Sequence, residues 1–140
     1  IAVRELSEFL AAADWRELAM APLQAHIAVH MPCSQANVLK AAEAPFALLR
    51  RIPGAKVFAL PGNDQCCGGA GAYPLTQPDM ADALLDDKIA AVRASGATLI
   101  ASTNLGCALH LARGLKTAGL NVRVAHPVAV LAECLPAEQK

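Results

Sequence analysis

Four short apolar runs alternate with helical patterns along the chain, and this alternation most constrains the fold. The runs lie at 26–30, 56–60, 98–101 and 121–125, and residues with helical spacing or a helix-capping signal follow each of them. Strands that alternate with helices form parallel sheets covered on both faces, with right-handed crossovers. We therefore predict an α/β fold, with a small parallel sheet of about four strands and helices on both faces.

Local signals predict where the helices begin and end. Within 34–51, Pro45 fits the first turn of a second short helix, because proline is poorly tolerated in a helix interior. Thr76 is predicted to cap a helix that stops at Gly96, and Asn104 is predicted to cap the helix after the third strand. These signals place a helix after each of the first three predicted strands.

Composition indicates one domain with a real core and excludes several functional classes. The chain has 140 residues, of which 55% are hydrophobic, and its 12 basic and 12 acidic side chains balance. No basic cluster with aromatic residues is present, so we predict no nucleic-acid partner. The apolar runs are too short to span a membrane, and no signal peptide is seen. Residues 1–25 are predicted to form a helical lead-in, and residues 26–140 the α/β domain.

The five cysteines indicate thiol or metal chemistry rather than disulfides. They occur in a core-rich α/β pattern without a secretory signal, which favours reduced thiols in a cytoplasmic protein. Cys66 and Cys67 are adjacent, with Cα atoms about 3.8 Å apart, closer than disulfide geometry normally allows. Two adjacent thiolates can instead face one compact metal centre if Gly68 and Gly69 let the backbone bend sharply. The plain alternative is that both cysteines are small buried hydrophobic residues.

The candidate ligands recur at one predicted edge of the sheet. Cys33, the Cys66-Cys67 pair, Cys107 and His126 each follow the carboxyl end of a predicted strand. In open α/β sheets this edge is where ligands bind. Cysteines that only pack would be spread through strands and helix faces as well. The sequence therefore predicts a thiolate-rich site at the carboxyl edge of the strands.

Histidines extend this set. Cys107 and His110 are three residues apart near a helix start, so both side chains can point to the same side, and we predict His110 as a ligand. His30 and His126 are candidates for residues that orient or tune the sulfurs, although strand-end histidines are often only polar surface residues. Cys134 lies outside the pattern, and we assign it to packing.

These motifs resemble the cysteine-rich CCG domain, in which a cysteine, a Cys-Cys-Gly motif and a Cys-x-x-Cys motif follow one another. Here 32 residues separate Cys33 from Cys66, 39 residues separate Cys67 from Cys107, and His110 stands where the family has its last cysteine. Together with the residues around His126, this pattern is most similar to the C-terminal domain of glycolate oxidase iron–sulfur subunits.

The resemblance implies an electron-transfer function that the residues alone do not show. It implies an iron–sulfur cluster of the 4Fe-4S type, held by Cys33, Cys66, Cys67, Cys107 and His110. It further implies that the chain is an excerpt of a longer subunit, which passes electrons from a partner subunit carrying FAD, the glycolate-oxidising subunit, toward quinone. The location implied is cytoplasmic, at the inner face of the membrane through the complex. The domain is then not catalytic by itself.

Two other classes of function stay open at this point. A zinc ion on the same residues would make a structural or subunit-interaction module without redox activity. A thiol enzyme would need one cysteine beside a base, and His30 or His110 could serve. A vicinal cysteine pair is superfluous for that last role.

Overall fold

The computed structural model describes residues 3–136, which form one α/β sandwich around a parallel sheet. The strands lie in the order β2-β1-β3-β4, and each neighbouring pair is parallel. This confirms the predicted fold class. The observed strands are slightly shorter than the apolar runs: β1 (His26–Val29), β2 (Lys56–Ala59), β3 (Leu99–Ala101) and β4 (Arg123–Ala125).

Helical segments connect most of the strands, and further helices precede β1 and follow β4. They are α1 (Leu6–Ala11), a π-helical segment (Ser34–Leu39), α2 (Ala44–Leu49), α3 (Tyr73–Thr76), α4 (Pro78–Ser95), α5 (Leu105–Thr117) and α6 (Pro127–Glu133). Within these, α2 carries a proline in its first turn, as predicted, and the helix that was expected to end at Gly96 does so with φ +68°. No helix in residues 3–136 is both long and apolar enough to cross a membrane.

One predicted helix cap is wrong, and one helix end was not predicted. The stretch 34–51 divides at Lys40, which adopts a left-handed conformation with φ 54° and ends the π-helical segment. Thr76 does not cap α4, because it is itself the last residue of α3 and its hydroxyl donates to the Ala72 carbonyl. The chain before β1 contains α1 and then irregular backbone, and the division at residue 25 stays a prediction.

The two faces of the sheet bury separate clusters. Alternate strand residues such as Ile27 and Val29 pack with α2 and α6, while Ala28 and Ile100 pack with α4 and α5. Residues along a strand point to opposite faces, so two covered faces explain why these runs are continuously apolar. Each large aliphatic side chain fully buried in this way contributes about 1.5–3 kcal/mol.

The chain adds its strands to the sheet first on one side of β1 and then on the other, so the order of addition changes direction between β1 and β3. From β1 the chain moves to β2 through α2 on one face, and from β2 it crosses back over β1 to β3 through α4 on the other face. Right-handed crossovers require this change of face when the direction changes. The loops after β1 and β3 therefore separate, and a crevice opens between their carboxyl ends, where ligands bind in folds of this kind.

Candidate metal centre

A buried trio of potential ligands lies at this crevice. The ligand atoms of His30, Cys67 and Cys107 are all within 4.8 Å of one another. Their residues are 1%, 2% and 8% exposed, respectively. The three come from the end of β1, the loop after β2 and the first turn of α5, so the tertiary fold assembles a site from three separate stretches of sequence.

His30 is held in place by the sheet itself. Its main-chain N–H group donates to the Ala101 carbonyl at 2.9 Å, which extends the pairing of β1 with β3 by one residue. Its ring nitrogen Nδ1 lies 3.1 Å from the hydroxyl of Ser102, which is also buried. This contact occupies one side of the imidazole and leaves Nε2 available to the thiols, the arrangement that fixes ligand histidines in metal sites.

The loop that carries Cys67 is tied to the end of β1 by Asn63. The Asn63 amide accepts from the Met31 N–H group at 2.9 Å and donates to the Val29 carbonyl at 2.8 Å. Both bonds are to backbone groups at or just beyond the end of β1, and the Val29 carbonyl also accepts from the Leu60 N–H group at 3.0 Å. The two Asn63 hydrogen bonds tie the loop to the edge of the sheet, a role that sequence reasoning did not predict.

Glycines allow the same loop to approach two helices closely. Gly68 has φ +82°, and a Cβ there would lie 2.7 Å from the carbonyl oxygen of Ala81 in α4. A Cβ on Gly69 would lie 2.9 Å from the Cβ of His110 and 3.0 Å from the carbonyl oxygen of Gly106 in α5. Gly68 and Gly69 are therefore required on steric grounds, since only hydrogen fits at both positions without a shift of the loop.

Cys107 is positioned by the N-terminal cap of α5. The Asn104 side chain accepts from the Cys107 N–H group at 3.1 Å, as its predicted capping role requires. The cap thus fixes the first turn of α5 and, with it, the position of the Cys107 thiol beside Cys67.

The thiols of Cys67 and Cys107 share a hydrogen bond. The bond from Cys107 lowers the pKa of Cys67, with a further lowering by His30, while burial opposes it. The same bond, together with burial and the nearby Cys67 charge, raises the pKa of Cys107. The pair therefore favours one thiolate, on Cys67, which already provides an anionic ligand beside a neutral thiol.

Cys33 and Cys66 lie on the solvent side of this trio. Both are exposed, and both are near enough for their charges to contribute to the raised pKa of Cys107. Cys33 immediately precedes the π-helical segment, and the Gly68 N–H group donates to the Cys66 sulfur at 3.4 Å. The edge thus carries two buried and two exposed thiols. The π-helical segment that follows Cys33 is an irregular helix of a kind common at functional sites.

His110, which the sequence predicts as a ligand, lies outside the buried trio. Its ring is buried, and Nε2 lies 3.3 Å from the carbonyl oxygen of Ala81 in α4. The imidazole therefore has a protein partner of its own, and whether it also binds a metal stays a prediction. The trio contains His30 instead, which sequence reasoning had ranked only as a tuning residue.

The two remaining candidates have mainly structural contacts. His126 caps α6, with Nδ1 accepting from the Val128 N–H group at 3.2 Å, and burial lowers its pKa. Cys134 is buried, and its thiol donates to the Val130 carbonyl at 3.4 Å. The contact of Cys134 agrees with the packing role that the sequence predicts for it.

A parallel α/β fold with a thiol and imidazole site at the carboxyl edge of its sheet defines a class of metal-binding cysteine-rich domains. A match to the cysteine-rich domain family, CCG, covers residues 27–112, and the chain belongs to this family. The matched range contains all the residues of the trio and both exposed thiols. The resemblance read from the cysteine spacing is thereby confirmed.

Several curated relatives are similar over most of this chain. Lactate utilization protein A of Bacillus velezensis is 32% identical over 91% of this chain and 53% of its own length. The probable glycolate oxidase iron-sulfur subunit of Bacillus subtilis is 32% identical over 94% of this chain and 30% of its own length. Lactate utilization protein A of Shouchella clausii is 28% identical over 73% and 43%. The chain thus spans about half or less of the relatives it matches.

Proposed function

We propose that this chain is the electron-transfer portion of an iron–sulfur subunit in a complex that oxidises a 2-hydroxy acid such as glycolate. The observation that carries the proposal is the buried trio His30, Cys67 and Cys107, flanked by the exposed thiols of Cys33 and Cys66. Thiolates with an imidazole are a donor set that suits iron–sulfur clusters and zinc, and suits calcium or magnesium poorly.

The ligand set we propose has four thiolates and one imidazole. Cys67 and Cys107 bind from the buried side, and Cys33 and Cys66 bind from the solvent side. For the nitrogen ligand, His30 has the better support, because its ring lies with the two buried thiols, whereas the His110 ring faces the Ala81 carbonyl. A cluster of the 4Fe-4S type bound there would supply a site that accepts and returns one electron at a time.

The protein residues then determine how that electron enters and leaves. The burial of Cys67 and Cys107 keeps water from one side of the site. The exposed positions of Cys33 and Cys66 leave the other side close to the surface, within reach of a docked partner. Oxidation of the hydroxy acid to the oxo acid releases two electrons and two protons at a partner flavin, FAD. The electrons then pass singly through this subunit toward quinone, which takes up two electrons and two protons.

We place this complex in the cytoplasm, at the inner face of the membrane, since quinone is a membrane substrate. The relative from Bacillus subtilis, named as a probable glycolate oxidase iron-sulfur subunit, supports this proposal by its similarity. The partner flavin subunit and the choice of hydroxy acid are part of the same proposal. In this scheme the chain carries electrons and performs no substrate chemistry of its own.

A zinc site is the second candidate, and one observation favours it. His30, Cys67 and Cys107 with one exposed thiol would make four nitrogen and sulfur ligands, the set typical of tetrahedral zinc. Zinc has no accessible redox change, so such a site would stabilise the fold or an interface and carry no electrons.

Metal and sulfide analysis of the full-length protein, purified without oxygen, distinguishes the two candidates. We expect iron with acid-labile sulfide, a visible absorption band that bleaches on reduction, and little zinc. Cys67→Ser and Cys107→Ser should lose most of the iron, whereas Cys134→Ser should keep it. One zinc per chain with neither iron nor sulfide would refute the electron-transfer proposal and support the structural one.

The choice of histidine has its own test. His30→Ala should change the absorption and electron paramagnetic resonance spectra of the bound cluster, because a ligand is lost. His110→Ala should leave both spectra unchanged and lower stability, because it removes the contact with the Ala81 carbonyl. The reverse pattern would show that His110, as the sequence predicts, is the ligand.

A further inference from the structure

Lys88 is a buried charge on the inner face of α4. It is only 2% exposed and lies on the same buried stripe of the helix as Ala81, Leu85 and Val92. The other members of this stripe are apolar, as expected for a helix that packs on a sheet. A lysine in such a position is rare, because burial of an ammonium group is costly unless something compensates the charge.

The immediate contacts of Lys88 provide only part of that compensation. Its Nζ donates to the carbonyl oxygen of Gly62, in the loop that leads from β2 to the cysteine pair. Among the ion pairs formed by residues 3–136, none includes Lys88. A single neutral carbonyl does not balance a full positive charge in a low-dielectric site.

The charges that face Lys88 come mainly from the cysteine loop. Burial lowers the pKa of Lys88, and the Cys67 thiolate is the largest of the negative charges that oppose this lowering. Asp64 and Cys66 of the same loop contribute next, followed by Asp87 on α4 itself. Gly62, whose carbonyl binds the Lys88 ammonium group, lies four residues before Cys66 in the loop that carries both thiols, and Gly68 of that loop packs against Ala81 of α4. The lysine and the thiol site therefore border the same loop.

We propose that Lys88 is a positioning residue that serves as the built-in counter-charge of the thiolate site. This inference rests on the proposed function only in requiring that the thiolates bind a metal or cluster. A centre held by three or four thiolates is more negative than the site with neutral thiols, and a fixed cation stabilises it. Reduction adds a further negative charge, so the same cation favours the reduced state and raises the midpoint potential.

A purely structural role for Lys88 predicts different behaviour. In that case the lysine only anchors the Gly62 carbonyl to α4, and removing it would loosen the loop and destabilise the protein. The counter-charge role predicts the opposite sign for metal-free protein. There, an apolar side chain of similar length removes a buried charge that its contacts compensate only in part, and it raises or preserves stability, although metal binding becomes weaker.

Three variants separate these roles in the full-length protein. Lys88→Met removes charge and hydrogen bond, Lys88→Gln removes the charge but keeps a donor for Gly62, and Lys88→Arg keeps the charge. A matched control is Gln65→Ala, because the Gln65 amide donates to Asp87 and also ties α4 to the same loop without bearing charge. The probe is Co(II), added without oxygen to metal-free protein, with binding followed by the thiolate-to-cobalt absorption and by competition with a chelator.

We expect Lys88→Met and Lys88→Gln to weaken Co(II) binding by about tenfold, the scale of one unit charge in a partly buried site. Lys88→Arg and Gln65→Ala should stay within about twofold of the unsubstituted protein. In the iron-loaded protein, the midpoint potential should fall in Lys88→Met and stay unchanged in Lys88→Arg. Thermal unfolding of metal-free Lys88→Met should occur at the same temperature as in the unsubstituted protein or higher.

Several results would overturn the counter-charge role. One is unchanged Co(II) affinity in Lys88→Gln, and another is an equal loss in Gln65→Ala and Lys88→Met; either would make Lys88 a loop anchor. Absence of Co(II) binding by the unsubstituted protein would overturn this inference and the metal site together. Co(II) binding that depends on Lys88, in a protein that contains no iron or sulfide, would sustain the counter-charge and reject electron transfer.

Discussion

The close approach of the Cys66-Cys67-Gly68-Gly69 loop to α5 yields a sharp prediction for Gly69→Ala. The added Cβ would lie 2.9 Å from the Cβ of His110 and 3.0 Å from the carbonyl oxygen of Gly106. Carbon atoms pack best at about 3.5–4.0 Å, so the loop must move away from α5 by roughly half an ångström or more. Neither atom can move easily, because the Cβ of His110 is bonded to the α5 backbone and the Gly106 carbonyl is part of that backbone.

We expect this overpacking to cost about 1–3 kcal/mol of unfolding free energy. The shift should also separate Cys67, two residues earlier, from Cys107 on α5. The assays are urea unfolding of the metal-free protein and Co(II) titration of the thiol site. Gly69→Ala should lower both the urea midpoint and the Co(II) affinity.

Gly71→Ala is the matched control in the same loop. Its added Cβ would meet no atom within 4 Å, but its φ of +52° is strained for alanine. It should therefore cost about 1–2 kcal/mol in stability through the backbone alone, without moving the loop against α5. If Gly71→Ala weakens Co(II) binding as much as Gly69→Ala, or if Gly69→Ala leaves stability and binding intact, the steric argument is wrong.

Three further predictions concern the cap of α5, the pH dependence and the cysteine outside the site. Asn104→Ala removes the acceptor for the Cys107 N–H group and should cost about 1 kcal/mol in urea unfolding, with Asn104→Ser close to the parent; equal losses in both would exclude a capping effect. Burial lowers the pKa of His126, so its neutral form supports stability fully above an unfolded pKa of about 6.5, and this stability is lost as the pH falls below that value. His126→Asn keeps an acceptor for the Val128 N–H group and should reduce this loss of stability at acid pH. If the unfolding free energy of the variant depends on pH as in the parent, the loss belongs to other groups. Cys134→Ala should lower the thermal midpoint slightly, because a buried sulfur is removed, and leave the metal content unchanged; loss of metal would place Cys134 in the site.

Local sequence signals determined most of the architecture. The four apolar runs became the four strands, Asn104 became a cap, and Gly96 ended α4. These features depend on residues within a few positions of one another, so pattern and propensity suffice to find them. The edge at which the thiols gather also followed from sequence, because parallel strands necessarily place their carboxyl ends together.

The Thr76 cap that failed and the helix end at Lys40 that was not predicted show where local signals are ambiguous. Thr76 with a proline two residues later is a reasonable cap, but the preceding residues form α3, and the Ala72 carbonyl accepts from its hydroxyl. Lys40 carries no sequence signal for a left-handed conformation, yet it ends the π-helical segment after Cys33. In both cases the sequence pattern does not determine where one helical segment ends and the next begins.

Only the tertiary structure decided which histidine joins the buried thiols. The spacing of Cys107 and His110 allows both side chains to lie on one side of a helix, but the carbonyl of Ala81, 29 residues away in sequence, binds the His110 ring. His30 meets Cys67 and Cys107 because the sheet register and the Asn63 bonds bring the ends of three connections together. The sequence does show that Lys88 is a charged residue on an apolar stripe of a helix. Its neighbours, however, depend on how α4 packs against the loop. Spacing along the chain determines which side chains can share an edge, whereas the choice among them depends on contacts between segments that are distant in sequence.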